Sequence, residues 1–197
     1  MITLKNTKTL VIYALLTAII IIMSFTPLGY FRTGAIEITL LTIPVIVGAI
    51  ILGPAAGAFM GGVFGLTSFI QCFGLSPFGA VLLGINPVYT FIICFIPRVL
   101  MGWLCGVIFK ALKNRTPKFV SFSVASLSGS LLNTIFFMSA LMLLFGNTEY
   151  IQSFNPEGLS VISFVIAFVG ANGLIEAAAC FIVGTAISRA VYKYTNR

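Results

Sequence analysis

Two ionisable side chains, Arg98 and Glu176, stand inside long apolar runs of this chain. Lipid tolerates such groups only where they face a cavity or a partner. A guanidinium is a planar fork of donors that suits a ligand carboxylate in two parallel hydrogen bonds. Arg98 and Glu176 can equally neutralise each other as a structural pair, and on sequence alone both readings stand. Counting about 1.5 Å per helical residue puts Arg98 roughly 16 Å and Glu176 roughly 25 Å into their runs, so their depths need not match.

Neutral polar residues add a pattern around these two. Asn172 and Glu176 are four apart and share a helix face. Ser126, Ser130 and Asn133 follow at i, i+4 and i+7 on the run before, and Thr67 and Gln71 are four apart on an earlier one. The serines suit interhelical hydrogen bonding. Asn133 and Asn172 point rather to a ligand pocket that opens outward, because an amide in lipid leaves donors and acceptors unpaired.

Much chemistry is excluded by what is missing. The chain has no His and no Asp, and its four acids are all Glu. Histidine metal sites, Ser-His-Asp triads and multi-aspartate metal centres therefore cannot be built. No phosphate-binding G-x-x-x-x-G-K-[ST] run is present, so no nucleotide-hydrolysing centre is expected. Cys72, Cys94, Cys105 and Cys180 lie far apart in apolar runs and read as small buried hydrophobes, with no metal and no cofactor expected. The chain is not expected to be an enzyme.

The elements that must position these residues are membrane helices. Of 197 residues, 59% are hydrophobic and 8% charged, against about 25% charged in a soluble domain. A crossing takes about 20 apolar residues. Six apolar runs follow one another: 9–26, 38–52 with Pro44 inside it, 55–73, 88–112 interrupted by Pro97 and Arg98, 119–145, and 159–187. Pro44 is expected to bend the second run or leave it only partly in lipid. Asn86-Pro87 reads as a helix cap and first position. The first run lacks a clear cleavage site and is read as a retained helix.

Charge placement tests the count independently. With the amino terminus inside, the inner segments hold Lys5, Lys8, Lys110, Lys113, Arg115, Lys118, Arg189, Lys193 and Arg197, nine of the eleven basic residues. Positive residues resist translocation, so this bias sets orientation and explains the net charge of +7 without a nucleic-acid partner. The expected fold class is an all-α membrane protein, a compact bundle of six transmembrane helices with both termini cytoplasmic. Residues 1–197 make one domain.

Small residues mark close helix approach. Gly53, Gly57, Gly61 and Gly65 repeat at four on the third run, and Gly102 and Gly106 on the fourth. Ala14 and Ala18 repeat the spacing on the first run, where they serve packing or face another protein.

At this point the chain resembles a known family. Ala14-Leu-Leu-Thr-Ala18, Ile43-Pro-Val-Ile-Val-Gly-Ala-Ile-Ile-Leu-Gly53-Pro54, and Gly57 with Gly61-Gly-Val-Phe-Gly-Leu-Thr67-Ser68 are similar to the substrate-binding S components of energy-coupling factor (ECF) transporters. So are Asn86-Pro87, Pro97-Arg98 with Gly102, and Ser128-Gly-Ser-Leu-Leu-Asn-Thr134, while Asn172-Gly-Leu-Ile-Glu176 resembles the pantothenate-type branch. The resemblance runs from about residue 9 to residue 190 and lies in the ordered set of motifs.

It implies a multi-pass protein of a prokaryotic cytoplasmic membrane that binds a water-soluble vitamin at the outer face. Its partners would be a transmembrane coupling subunit and two ATPase subunits, which supply the power. Ala14 and Ala18 would dock on the coupling subunit, and residues 28–37 would form a lid. Pantothenate, with one carboxylate, hydroxyls and an amide, is the favoured substrate. Candidate binding residues are Arg98, Asn133, Asn172, Glu176, Gln71, Asn86 and Thr67. Pyridoxine, riboflavin, folate or a precursor are the alternatives. Trp103, the one tryptophan, lies deep in its run and argues against a flavin or pterin platform. A stand-alone secondary transporter is the remaining reading, with thin material for a proton relay and no visible inverted repeat.

Overall fold

The computed structural model describes residues 7–27, 29–33, 36–154 and 160–195. Side chains of residues 30–38 and of several positions in 161–172, Asn172 among them, lie outside the described set.

Helix α1 (Thr7–Ser24) leads into a two-stranded antiparallel hairpin, β1 (Tyr30–Thr33) and β2 (Ile36–Thr39), in the register Tyr30↔Thr39. This hairpin is an addition to the helical fold that composition leads one to expect. It also shortens the second apolar run, since Ile38 and Thr39 belong to the strand. Then come α2 (Thr42–Leu52), α3 (Pro54–Gln71), α4 (Pro77–Ile85) and α5 (Pro87–Leu112). Helix α6 (Lys118–Phe145) and the short α7 (Glu149–Gln152) follow. The last segment is α8 (Val161–Ala179), a π-helical turn (Cys180–Gly184) and α9 (Thr185–Thr195).

Helix α2 is the axis of the bundle. Every residue from Thr42 to Ile50 is buried, which is what an apolar sequence without a polar face requires. Pro44 sits in its first turn, where the missing N–H has no helical acceptor to satisfy. Val45, Ile46, Ala49, Met60, Phe64, Met101 and Cys105 form one core around this axis. Gly53, at φ 97°, makes the turn between α2 and α3 that an L side chain would strain, and Pro54 starts α3.

Helices α3 and α5 make the most extensive pairing in the fold. A side chain at Gly57 would collide with the Gly102 carbonyl, one at Gly102 with the Gly57 carbonyl, and one at Gly61 with the carbonyl of Arg98. The glycine ridge read from the sequence is thus the contact surface, apart from Gly53, which serves the turn.

Four segments among the described residues are long and apolar enough to cross a membrane: Thr7–Ser24, Pro87–Leu112, Lys118–Phe145 and Gly173–Lys193. With 11 residues, α2 spans about 17 Å, short of a hydrocarbon core of about 30 Å. The 18 residues of α3 include four glycines, Gly57, Gly61, Gly62 and Gly65, which lower its hydropathy. Length and composition alone therefore license four crossings.

Two local features had readable signals. Ser76 accepts from the Gly79 amide and Pro77 takes the first position of α4, so the Gly- and Pro-rich stretch after α3 is a capped helix. Asn86 caps α5 through Oδ1, which accepts from the Val88 and Tyr89 amides at 3.0 and 3.1 Å.

Candidate functional site

The site begins with a proline. Pro97 lies inside α5 and has no N–H to give to the carbonyl four residues back, that of Ile93. Arg98 takes that carbonyl instead, donating from Nη1 at 2.7 Å. The guanidinium is further held between two rings, 5.4 Å from the Phe64 centroid and 4.6 Å from that of Phe137, a favourable placement for a cation. Arg98 is 9% exposed and its Nε has no protein partner. The Nε–Nη2 edge is one of the two forks by which arginine grips a carboxylate.

Arg98 opens on a cavity of about 150 Å³. Its floor and walls come from α3 (Ser68, Gln71), α5 (Thr90, Ile93, Cys94), α6 (Asn133, Phe137, Met138) and α8 (Val169, Glu176). Helix α4 covers one side with Phe78, Gly79 and Leu82, and β2 contributes Thr39. The short capped helix and the hairpin thus both border the cavity.

Glu176 is 6% exposed. Its Oε1 accepts from Asn133 Nδ2 at 3.4 Å, and the Thr39 backbone is a further hydrogen-bond partner of the carboxylate. Asn133 Oδ1 is buried without a protein partner. No ion pair closes between Arg98 and Glu176 among the described residues, where Arg98 bonds the Ile93 carbonyl and Glu176 bonds Asn133. Both line the one cavity, Arg98 from α5 and Glu176 from α8.

Of the residues singled out from the sequence, Arg98, Asn133, Glu176 and Gln71 therefore meet at one cavity. Gln71 also ties α3 to α1, donating from Nε2 to the Ser24 carbonyl at 2.6 Å. Thr67 is not on the wall. It accepts from the Ser24 hydroxyl at 2.8 Å and donates to the Phe64 carbonyl at 2.9 Å, an interhelical tie. Asn86 is engaged as the α5 cap. The side chain of Asn172 lies outside the described residues, as do Leu28, Gly34 and Ala35 of the expected lid. Trp103 is 47% exposed and outside the cavity.

Thr90 and Cys94 lie at four-residue steps before Arg98 and share its face, and Phe137 follows Asn133 by four. Helical spacing from the two anchors would have found all three. The Cys94 and Cys72 sulfurs are 3.8 Å apart on the wall. Thr39 carried no signal in sequence, because its place depends on the hairpin. Ala14 and Ala18 are both exposed on the outer face of α1.

Arg98 and Asn133, each with a buried polar atom lacking a protein partner, and the Glu176 carboxylate thus border one cavity in a bundle of apolar helices. The sequence model of the ECF transporter substrate-specific component matches residues 8–188, and the chain belongs to that family. Its members are transporter components rather than enzymes, in line with the residue types absent from the sequence. The Pantothenic acid transporter PanT of Lactococcus lactis subsp. cremoris is 34% identical over 169 residues, covering 80% of this chain and 79% of that protein. The Pantothenate transporter PanT of Leuconostoc mesenteroides subsp. mesenteroides is 30% identical over 202 aligned positions, covering 98% and 96%. Among solved structures, the crystal structure of the S-component for biotin from an ECF-type ABC transporter superposes with a TM-score of 0.64 at 21% identity, covering 98% of this chain and 95% of that one. That likeness is one of fold.

Proposed function

We propose that this chain binds pantothenate at the Arg98 cavity and delivers it into the cell with a coupling subunit and two ATPase subunits. The single observation that carries the reading is that Arg98 and Asn133, each with a buried polar atom (Nε and Oδ1) lacking a protein partner, both line one cavity. A buried polar group left unpaired in a finished fold calls for an explanation, and at a cavity a bound ligand supplies one. The Arg98 edge takes the carboxylate of pantothenate. Asn133, Gln71 and the Glu176 carboxylate take the amide and hydroxyl groups, with Asn172 as a further candidate. The names of the two relatives at 30% and 34% identity support pantothenate over other vitamins.

The chain acts as one domain in the cell membrane. Its six passes are α1, α2, α3, α5, α6 and the α8–α9 segment, α2 covering only part of the hydrocarbon layer, with both ends in the cytoplasm. The basic residues support this sidedness, since nine of eleven fall at one end under that topology. The hairpin between α1 and α2 serves as the lid, and Thr39 at its base is on the cavity wall. Ala14 and Ala18 present a flat track to the coupling subunit. A thermal-shift panel of B vitamins on the purified chain tests the substrate, because a ligand that binds only the folded state raises its apparent stability. Pantothenate is expected to raise Tm and riboflavin, folate, pyridoxine and biotin to leave it unchanged. A shift with one of the others alone would reassign the cavity.

A further inference from the structure

A second cavity, also of about 150 Å³, lies at the opposite end of α5 and α6 and takes part in none of the contacts described above. We propose that it holds the phosphodiester headgroup of one anionic phospholipid. Lys113 and Lys118 border it from the two sides of the α5–α6 loop, with Asn114 beside them. Its floor is aromatic: Phe109, Phe122 and Tyr192 pack with ring centroids 5.0, 6.0 and 5.3 Å apart. The Ser121 hydroxyl also lines it, 2.8 Å from Thr116 Oγ1 and so fixed in place.

Charge complementarity selects an anion. The chain has no acidic residue between Glu37 and Glu149 and none after Glu176, so nothing in the sequence on either flank of this cavity opposes its lysines. A general inward bias of basic residues explains charge in the loop. It does not explain two lysines, an amide and a hydroxyl converging on a cavity with an apolar floor. Basic cavities between membrane helices are where anionic headgroups bind. A lipid is favoured over free phosphate by the surface that leads away from the rim. Phe119, Val120 and Val124 of α6 and Ile187 of α9 are all exposed and apolar, a path for acyl chains. Arg189 stacks 5.4 Å over Phe119 and keeps a further cation at that boundary.

The test is a titration of the delipidated full chain, in uncharged detergent, followed by native mass spectrometry. Phosphatidylglycerol is expected to bind at one per chain, phosphatidylcholine not to compete, and millimolar inorganic phosphate not to displace it. One basic residue beside an anionic surface is worth about fivefold, so Lys113→Gln with Lys118→Gln should weaken phosphatidylglycerol by about 25-fold. Both lysines are exposed, and Tm should hold. Lys110→Gln with Lys193→Gln removes the same charge outside the cavity and should change affinity less than about threefold. Equal loss in both double variants, equal binding of phosphatidylcholine, or displacement by phosphate would overturn the proposal.

Discussion

Arg98 Nη1 donates at 2.7 Å to the carbonyl of Ile93, the one carbonyl of α5 that Pro97 deprives of its helical donor. The Pro-Arg dipeptide is therefore a device in two parts. The proline frees an acceptor inside an apolar helix, and the arginine uses it to fix one corner of its guanidinium while its Nε stays without a protein partner; in the proposed function that edge takes the ligand carboxylate. Restoring the donor should loosen that placement. Pro97→Ala is expected to fold normally and to weaken pantothenate binding by about tenfold, because a mobile fork loses preorganisation. Arg98→Lys keeps the charge without the fork and should lose more, about 100-fold. Calorimetry on both variants checks the order.

The α3–α5 crossing makes a prediction about stability alone. Gly57→Val or Gly102→Val would drive a side chain into a backbone carbonyl of the facing helix. Either should prevent a stable fold or lower stability by about 3 kcal/mol or more, as overpacking against immovable backbone does. Gly84→Ala in α4 meets open space and should stabilise, by about 0.5–1 kcal/mol. Thermal unfolding in detergent separates the three.

Thr67 and Asn133 are both buried polar residues of the family-like motifs, yet they differ in what they touch. Thr67→Val removes the tie to Ser24 and should cost about 1 kcal/mol of stability with pantothenate affinity unchanged. Asn133→Ala removes a cavity amide and its contact with Glu176, and should weaken binding about tenfold or more. Paired melting and binding measurements that gave the same profile for both variants would contradict this division.

Ala14 and Ala18 are exposed on the outer face of α1, away from the cavity. Ala14→Leu and Ala18→Leu should leave pantothenate affinity within about twofold and reduce co-purification of the coupling subunit, since bulky side chains hold helices apart. Full co-purification would remove the docking role.

Much of this fold is legible because lipid makes simple demands. Runs of apolar residues, Asn86-Pro87 at a helix start and glycines at four-residue spacing each state a local requirement, and the structure answers them with helices, a cap and close helix contacts, apart from the strand at the start of the second run and the turn at Gly53. Arg98 and Glu176 were visible as candidates because charge in an apolar run needs a reason. The resemblance groups them at one site, while residue counting leaves their depths unmatched because it does not show how α5, α6 and α8 pack around the cavity. Thr39, the hairpin and the cover formed by α4 were hidden for a related reason: each contributes through tertiary placement, with no periodic signature of its own. Thr67 shows the converse, a polar residue on a helix face whose partner turned out to be a neighbouring helix.

The most direct measurement is equilibrium binding of radiolabelled pantothenate to the purified full chain, side by side with Arg98→Ala, both shown folded by their melting curves. Saturable binding at one site per chain, lost in Arg98→Ala and restored in part by Arg98→Lys, is the expected result. Undiminished binding by a folded Arg98→Ala variant, or no binding by the unaltered chain, would contradict the account.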